Sequence, residues 1–183
     1  MATATYPLTF EDLLHTPDDG NHYEIIDGEL IVSPAPSRIH QKFLGRLFNI
    51  VATHVERNKL GEVYFAPVDV QLFPHDVVQP DLIFIRADRL HIYRDNPVQG
   101  PPDLVVEVIS PTSRVRDTVR KARIYAAARV PEYWMPDPVE RRFGMQVLRD
   151  GHYEEVAPRS GTLRSTELPD LVLDLDLLFA DLD

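Results

Sequence analysis

The chain is 183 residues long, contains no cysteine, and carries a formal net charge of −10 from 19 basic and 29 acidic side chains. That length suits one domain of roughly 100–200 residues, and 44% hydrophobic with 26% charged residues excludes disordered and low-complexity classes. Without cysteine there are no disulfides, thiolate metal sites or cysteine nucleophiles, and the acidic balance argues against a protein that coats nucleic acid non-specifically.

The opening Met1–Tyr6 lacks a basic-then-apolar leader pattern, and no run approaches the ~18 apolar residues of a membrane span, so a cytoplasmic location is expected. Thr9 followed by Asp12 signals the start of a short helix ending before Pro17. Tyr23–Ile26 and Glu29–Val32 flank Asp27-Gly28, which predicts a β-hairpin with a two-residue turn. After Pro34-Ala-Pro36, Ser37 can cap a long helix on whose apolar side His40, Leu44, Leu47, Val51, His54 and Val55 recur. A lone histidine on such a face is more often a core residue than a ligand.

Val63–Phe65, Val68–Phe73 and Val77–Ile85 read as strands, the last two separated by a turn at Pro74–Asp76. Residues 86–102 have loop composition and are long enough to border a site. Leu104–Ile109 is apolar on both faces except for Glu107, the pattern of a central strand covered from two sides. Pro111 ends it, Thr112 or Ser113 can cap, and Val115, Val119, Ala122 and Ala126 mark an amphipathic helix that stops at Pro131. Strands are predicted over Glu132–Met135, Phe143–Leu148 and Tyr153–Val156, with Tyr133 and Trp134 in the core, and the Leu168–Asp183 tail closes with a short helix.

Three acids sit in apolar, strand-like surroundings: Glu24, Asp81 and Glu107. A buried carboxylate costs several kcal/mol unless it is paired or holds a cation. Pro80 cannot donate to a ladder and can aim Asp81 out of register. Asp81 and Glu107 together suit Mg²⁺ (or Mn²⁺), which takes one or two carboxylates and completes its shell with water and substrate oxygen.

Phosphodiester hydrolysis also needs a second cation, to hold or deprotonate the attacking water and to offset charge on the phosphoryl oxygens. Lys121 is the candidate: Glu107 lies roughly 10 Å before its strand end and Lys121 roughly 12 Å into the following helix, so a returning helix brings them level. Asp117, Lys121 and Tyr125 share one helix face at four-residue spacing, which an exposed ion pair would explain equally well. The cations from Arg114 to Arg129 either attract phosphate or are a solvated helix face.

These residues, Pro80-Asp81, Glu107 in Asp-Leu-Val-Val-Glu-Val-Ile-Ser-Pro, then Asp117, Lys121, Tyr125 and Val-Pro-Glu-Tyr-Trp, match a known pattern. With Tyr-Glu-Ile-Ile-Asp-Gly-Glu-Leu from Tyr23, the chain resembles the Uma-two family of restriction-endonuclease-like proteins as far as about Tyr153. The resemblance implies an α/β (α+β) fold of the PD-(D/E)XK nuclease superfamily, a mixed β-sheet flanked by helices with an N-terminal hairpin. It implies Asp81 and Glu107 as metal ligands, Glu24 as an additional acid, and Mg²⁺-dependent hydrolysis of DNA; it leaves a homodimer open. The superfamily signature places lysine where Ile109 stands, and Lys121 looks like its displaced replacement. Two other readings stand beside the nuclease: a catalytically silent nucleic-acid-binding or oligomerisation module of the same fold, and a metallohydrolase of small phosphorylated molecules in which His40 joins the acids.

Overall fold

A computed structural model describes residues 6–110 and 114–182. Helix α1 (Phe10–Leu13) starts at Thr9, whose backbone N–H donates to Asp12 Oδ2 at 2.8 Å. Strands β1 (His22–Ile26) and β2 (Glu29–Ser33) form the predicted hairpin, turning through Asp27 and Gly28 at φ 54° and 77°. Helix α2 (Arg38–Asn58) begins on Ser37, whose hydroxyl accepts the His40 N–H, and it buries Phe43, Leu44, Leu47, Val51 and Val55.

Strands β3 (Gly61–Phe65), β4 (Val70–Phe73), β5 (Asp76–Val78) and β6 (Leu82–Arg86) follow, then β7 (Val98–Gln99) and β8 (Leu104–Val106). A π-helical stretch Arg116–Lys121 runs into α3 (Ala122–Ala127), and strands β9 (Glu132–Asp137), β10 (Arg142–Arg149) and β11 (His152–Glu155) complete the main sheet. The tail forms a ribbon, β12 (Thr162–Arg164) with β13 (Val172–Asp174), and α4 (Leu175–Phe179); the tail helix was predicted, the ribbon was not.

The strands make a five-stranded sheet, β2-β1-β5-β4-β7, and a six-stranded sheet, β11-β10-β9-β8-β6-β3, in which only β8–β9 is a parallel pair. Alternation along the central strands explains their two-sided apolar sequence. Leu82, Phe84, Leu104, Val106 and Trp134 pack under α2 and α4, whereas Ile83, Ile85, Val105 and Tyr133 pack with α3 and the five-stranded sheet. This is the expected mixed sheet flanked by helices.

Val77–Ile85 is not one strand: it breaks at residues 79–81, so that β5 belongs to one sheet and β6 to the other. Pro80, with no N–H to donate, lies in that crossing. Residues 86–102 hold a 3-10 helix over Ala87–Ile92 and the short β7, and do not line the cavity discussed below. The expected strand end at Pro111 and cap at Thr112 or Ser113 lie outside the described residues. Val115 and Val119, expected to face inward, are 74% and 62% exposed, while Asp117, Lys121, Ile124 and Tyr125 are buried. Among the described residues no helix is long and apolar enough to cross a membrane.

Glu132 ties the tail to the main sheet. Its Oε1 accepts Trp134 Nε1 at 2.6 Å, and its Oε2 accepts the N–H groups of Thr166 and Glu167 and the hydroxyls of Ser165 and Thr166. Replacing this fully buried side chain orphans several donors at once. Glu132→Ala is therefore expected to lower unfolding free energy by about 3 kcal/mol or more, read from urea denaturation.

Candidate active site

A cavity of about 370 Å³ opens where the N-terminal end of α2, strand β1, the 79–81 crossing, the end of β8 and the π-helical turn meet. Glu24, His40, Asp81, Glu107, Asp117 and Lys121 all line it. Each reaches the cavity by a different device. Glu24 faces inward from mid-β1 and its Oε1 accepts the Gln79 N–H at 2.7 Å, an anchor at the point where the chain leaves β5. Asp81 follows Pro80 in the crossing; its Oδ2 accepts the Val108 N–H at 2.6 Å and its Oδ1 lies 3.0 Å from His40 Nε2.

Glu107 lies one residue beyond the end of β8, rather than three residues inside the strand, and its own N–H still donates to the Trp134 carbonyl. Lys121 arrives from the helix, as the length argument anticipated. Its Nζ is 2.7 Å from Glu24 Oε1, 2.8 Å from Glu107 Oε1 and 3.9 Å from Asp117 Oδ1. Tyr125 Oη donates to the same Glu107 oxygen at 2.6 Å, and Tyr133 Oη donates to the Asp117 carbonyl, pinning the π-helical turn. Such turns recur at functional sites because they rotate side chains off the regular helical register.

Four carboxylates thus share this cavity with the cations Lys121 and Arg116. Burial holds the Glu107 carboxyl well above the usual carboxylate range; Lys121 counters this, and Asp117, Glu24 and Asp81 add to it. Burial alone would lower the Lys121 ammonium, but Glu107, Glu24 and Asp117 outweigh it and hold it raised, so this side chain stays charged. Burial, and then Glu107, pushes the Tyr125 hydroxyl well up, which keeps it a donor.

Among the described residues no three His, Asp or Glu side chains close around a single point. The carboxylates present suit a hard cation: Lys121 and Tyr125 both engage Glu107 through Oε1, so Oε2 is the oxygen that could turn to one. With Asp81 in the same cavity, this is a pair of carboxylates of the kind that could hold Mg²⁺ or Mn²⁺ together with several waters.

The sequence-predicted residues Glu24, Asp81, Glu107 and Lys121 therefore converge. His54 does not, since its Nε2 meets the Pro169 carbonyl. Asp117, expected to share a helix face with Lys121 and Tyr125 that an exposed ion pair would explain equally well, is 2% exposed, and that four-residue spacing was the available signal. The basic helix is not a free phosphate-attracting face: Arg114 pairs with Asp137, Arg116 with Asp117, Arg120 with Asp27 and Glu29, and Arg123 with Asp27.

A mixed sheet flanked by helices, with two acids and a lysine gathered beside the central strand, defines a restriction-endonuclease-like protein. In agreement, the crystal structure of "a putative nuclease belonging to DUF820" from Anabaena variabilis ATCC 29413 superposes with a TM-score of 0.79, covering 96% of this chain and 99% of that one at 18% identity. Residues 10–177 match the family Uma2, described as "Putative restriction endonuclease", and the chain belongs to that family. No curated protein matches it.

Two outcomes follow from the buried charges. Tyr125→Phe removes one hydroxyl and leaves Glu107 Oε1 to Lys121 alone, so unfolding free energy, read from urea denaturation, should fall by about 1 kcal/mol or more, the net worth of a buried hydrogen bond. For pH, a carboxyl whose folded pKa is raised contributes stability that is complete below its unfolded value of 4.5 and is lost as pH rises through the folded value. The melting temperature of the metal-free protein should therefore fall with rising pH above the ordinary glutamate range more steeply than that of Glu107→Gln; parallel curves would contradict this.

Proposed function

We propose that this protein is a divalent-metal-dependent nuclease that hydrolyses phosphodiester bonds of DNA, with Asp81 and Glu107 as ligands for Mg²⁺ or Mn²⁺. The observation that carries this reading is the meeting of both acids in one cavity with the Lys121 ammonium held between Glu107 and Glu24. Family membership and the shared fold support it. A cation bound there would supply Lewis-acid stabilisation of the phosphoryl oxygens and lower the pKa of the attacking water.

The chain's own groups do the rest. Lys121 stays an ammonium, so it donates to water or to a phosphoryl oxygen and does not serve as the base. Glu24 Oε1 holds Lys121 and the Gln79 N–H, so that Oε2 is the oxygen that would orient the attacking water. Arg116 lines the cavity wall between Ser33 Oγ and Asp117, and a phosphate entering there would share its guanidinium with Asp117.

A second reading, a catalytically silent nucleic-acid-binding or oligomerisation module, draws on the net charge of −10 and on the cations already committed to acids. Plasmid DNA incubated with Mg²⁺ or Mn²⁺ decides between them. The nuclease reading expects nicking or cutting by the wild type and its loss in Asp81→Ala; equal cleavage by both would overturn it. Mn²⁺ should also raise the melting temperature of the wild type alone, because a ligand that binds only the folded state stabilises it.

A further inference from the structure

His40 has no role in the scheme above, although it lines the same cavity and is only 9% exposed. It sits in the first turn of α2, where its backbone N–H is held by Ser37 Oγ, so the ring leaves the helix at a defined point. Its Nε2 lies 3.0 Å from Asp81 Oδ1, and its other ring nitrogen has no partner among the described residues. A core histidine that merely fills space does not need a carboxylate of the reactive cavity as its sole side-chain partner.

Asp81 is anchored through its backbone carbonyl, which accepts the Ala66 N–H at 3.1 Å, and this leaves the direction of its side chain to other groups. It lies in the crossing between the two sheets, outside both β5 and β6, after a proline that makes no ladder bond. Its side chain is 19% exposed, the most accessible of the carboxylates paired in this cavity. Two groups fix it: the Val108 N–H on Oδ2 and the His40 ring on Oδ1. Each donor occupies one lone pair of its oxygen and leaves the other directed elsewhere. With the Val108 bond alone one oxygen is held and the carboxylate keeps freedom about its side-chain torsions.

From this geometry we infer that His40 is a positioning residue for Asp81. By donating from Nε2 to Oδ1, it holds the carboxylate across the cavity from Glu107, in the orientation that lets both acids serve one divalent cation. The inference rests on the assignment of Asp81 as a metal ligand. The neutral ring tautomer with hydrogen on Nε2 suffices, as it does where outer-shell partners orient the ligands of metal sites, and loss of such partners typically weakens metal binding about 10–100-fold.

The test is calorimetric titration of the metal-free protein with Mn²⁺ alone, beside a melting curve for each variant. His40→Leu, which fills the space without a donor, should weaken Mn²⁺ binding about tenfold or more, while His40→Gln, whose side-chain amide reaches Oδ1 from the same helix position, should stay within about threefold of the wild type. His40→Asn, polar but too short, should behave like His40→Leu, and it stands in should the leucine variant fail to fold. Wild-type affinity in both His40→Leu and His40→Asn, with binding lost in Asp81→Asn, would show that the ring only packs. Equal weakening in His40→Gln and His40→Leu would show that the donor is not what matters, and would also overturn the inference. Undiminished binding in Asp81→Asn would instead remove the metal-site assignment itself, and this inference with it.

Discussion

One buried ammonium organises the molecule's interior. Lys121 Nζ is 2% exposed and lies within 2.8 Å of carboxylates from two different sheets: Glu24 of the hairpin sheet, and Glu107 at the end of a central strand of the other. Taking a charge this far from water costs several kcal/mol, and only partners with good geometry offset it. The helix, the hairpin and the central strand are therefore placed relative to one another by the same contact that builds the cavity. Fold and site cannot be adjusted separately here.

The second constraint is the passage of the chain from one sheet to the other at residues 79–81. The Gln79 N–H is anchored on Glu24, Pro80 forgoes a ladder bond, and Asp81 is released from strand geometry to meet Val108 and His40. Two acids that alternate poorly with their apolar neighbours thus belong to one device. Glu24 holds the crossing, and the crossing aims Asp81.

Electrostatics orders how such a site meets a polyanion. The cavity carries more carboxylate than cation, and burial with that excess pushes the Glu107 carboxyl upward. The arginines along the adjoining helix are engaged by Asp27, Glu29, Asp117 and Asp137. The pairs of Arg120 and Arg123 are exposed and worth little individually, whereas Arg114 and Arg116 are held by the buried carboxylates of Asp137 and Asp117. They do not give the long-range attraction of a free basic face. On the proposed function, a divalent cation between the acids would offset that excess of negative charge, so metal occupancy and approach of a phosphodiester would be coupled through charge.

The sequence by itself determined much of this. The hairpin at Asp27-Gly28, the long helix capped by Ser37 and the two-sided apolar strand that ends just before Glu107 follow from turn chemistry and periodicity, which are local signals, and ordered motifs anticipated that Asp81, Glu107 and Lys121 would line one cavity. Only the tertiary structure decided the rest. It split Val77–Ile85 between two sheets, turned the charged stripe of the helix inward and left Val115 and Val119 in solvent, and made Asp117 and Tyr125 interior partners. It also joined His40 to Asp81, forty-one residues apart. A helical face reads as buried when it is apolar, and Asp117 and Lys121 invert that rule because their burial is offset by one another and by acids distant in the chain. Local spacing puts Asp117, Lys121 and Tyr125 on one face but does not say which way that face turns, since Glu24 and Glu107 reach Lys121 only once the two sheets have met.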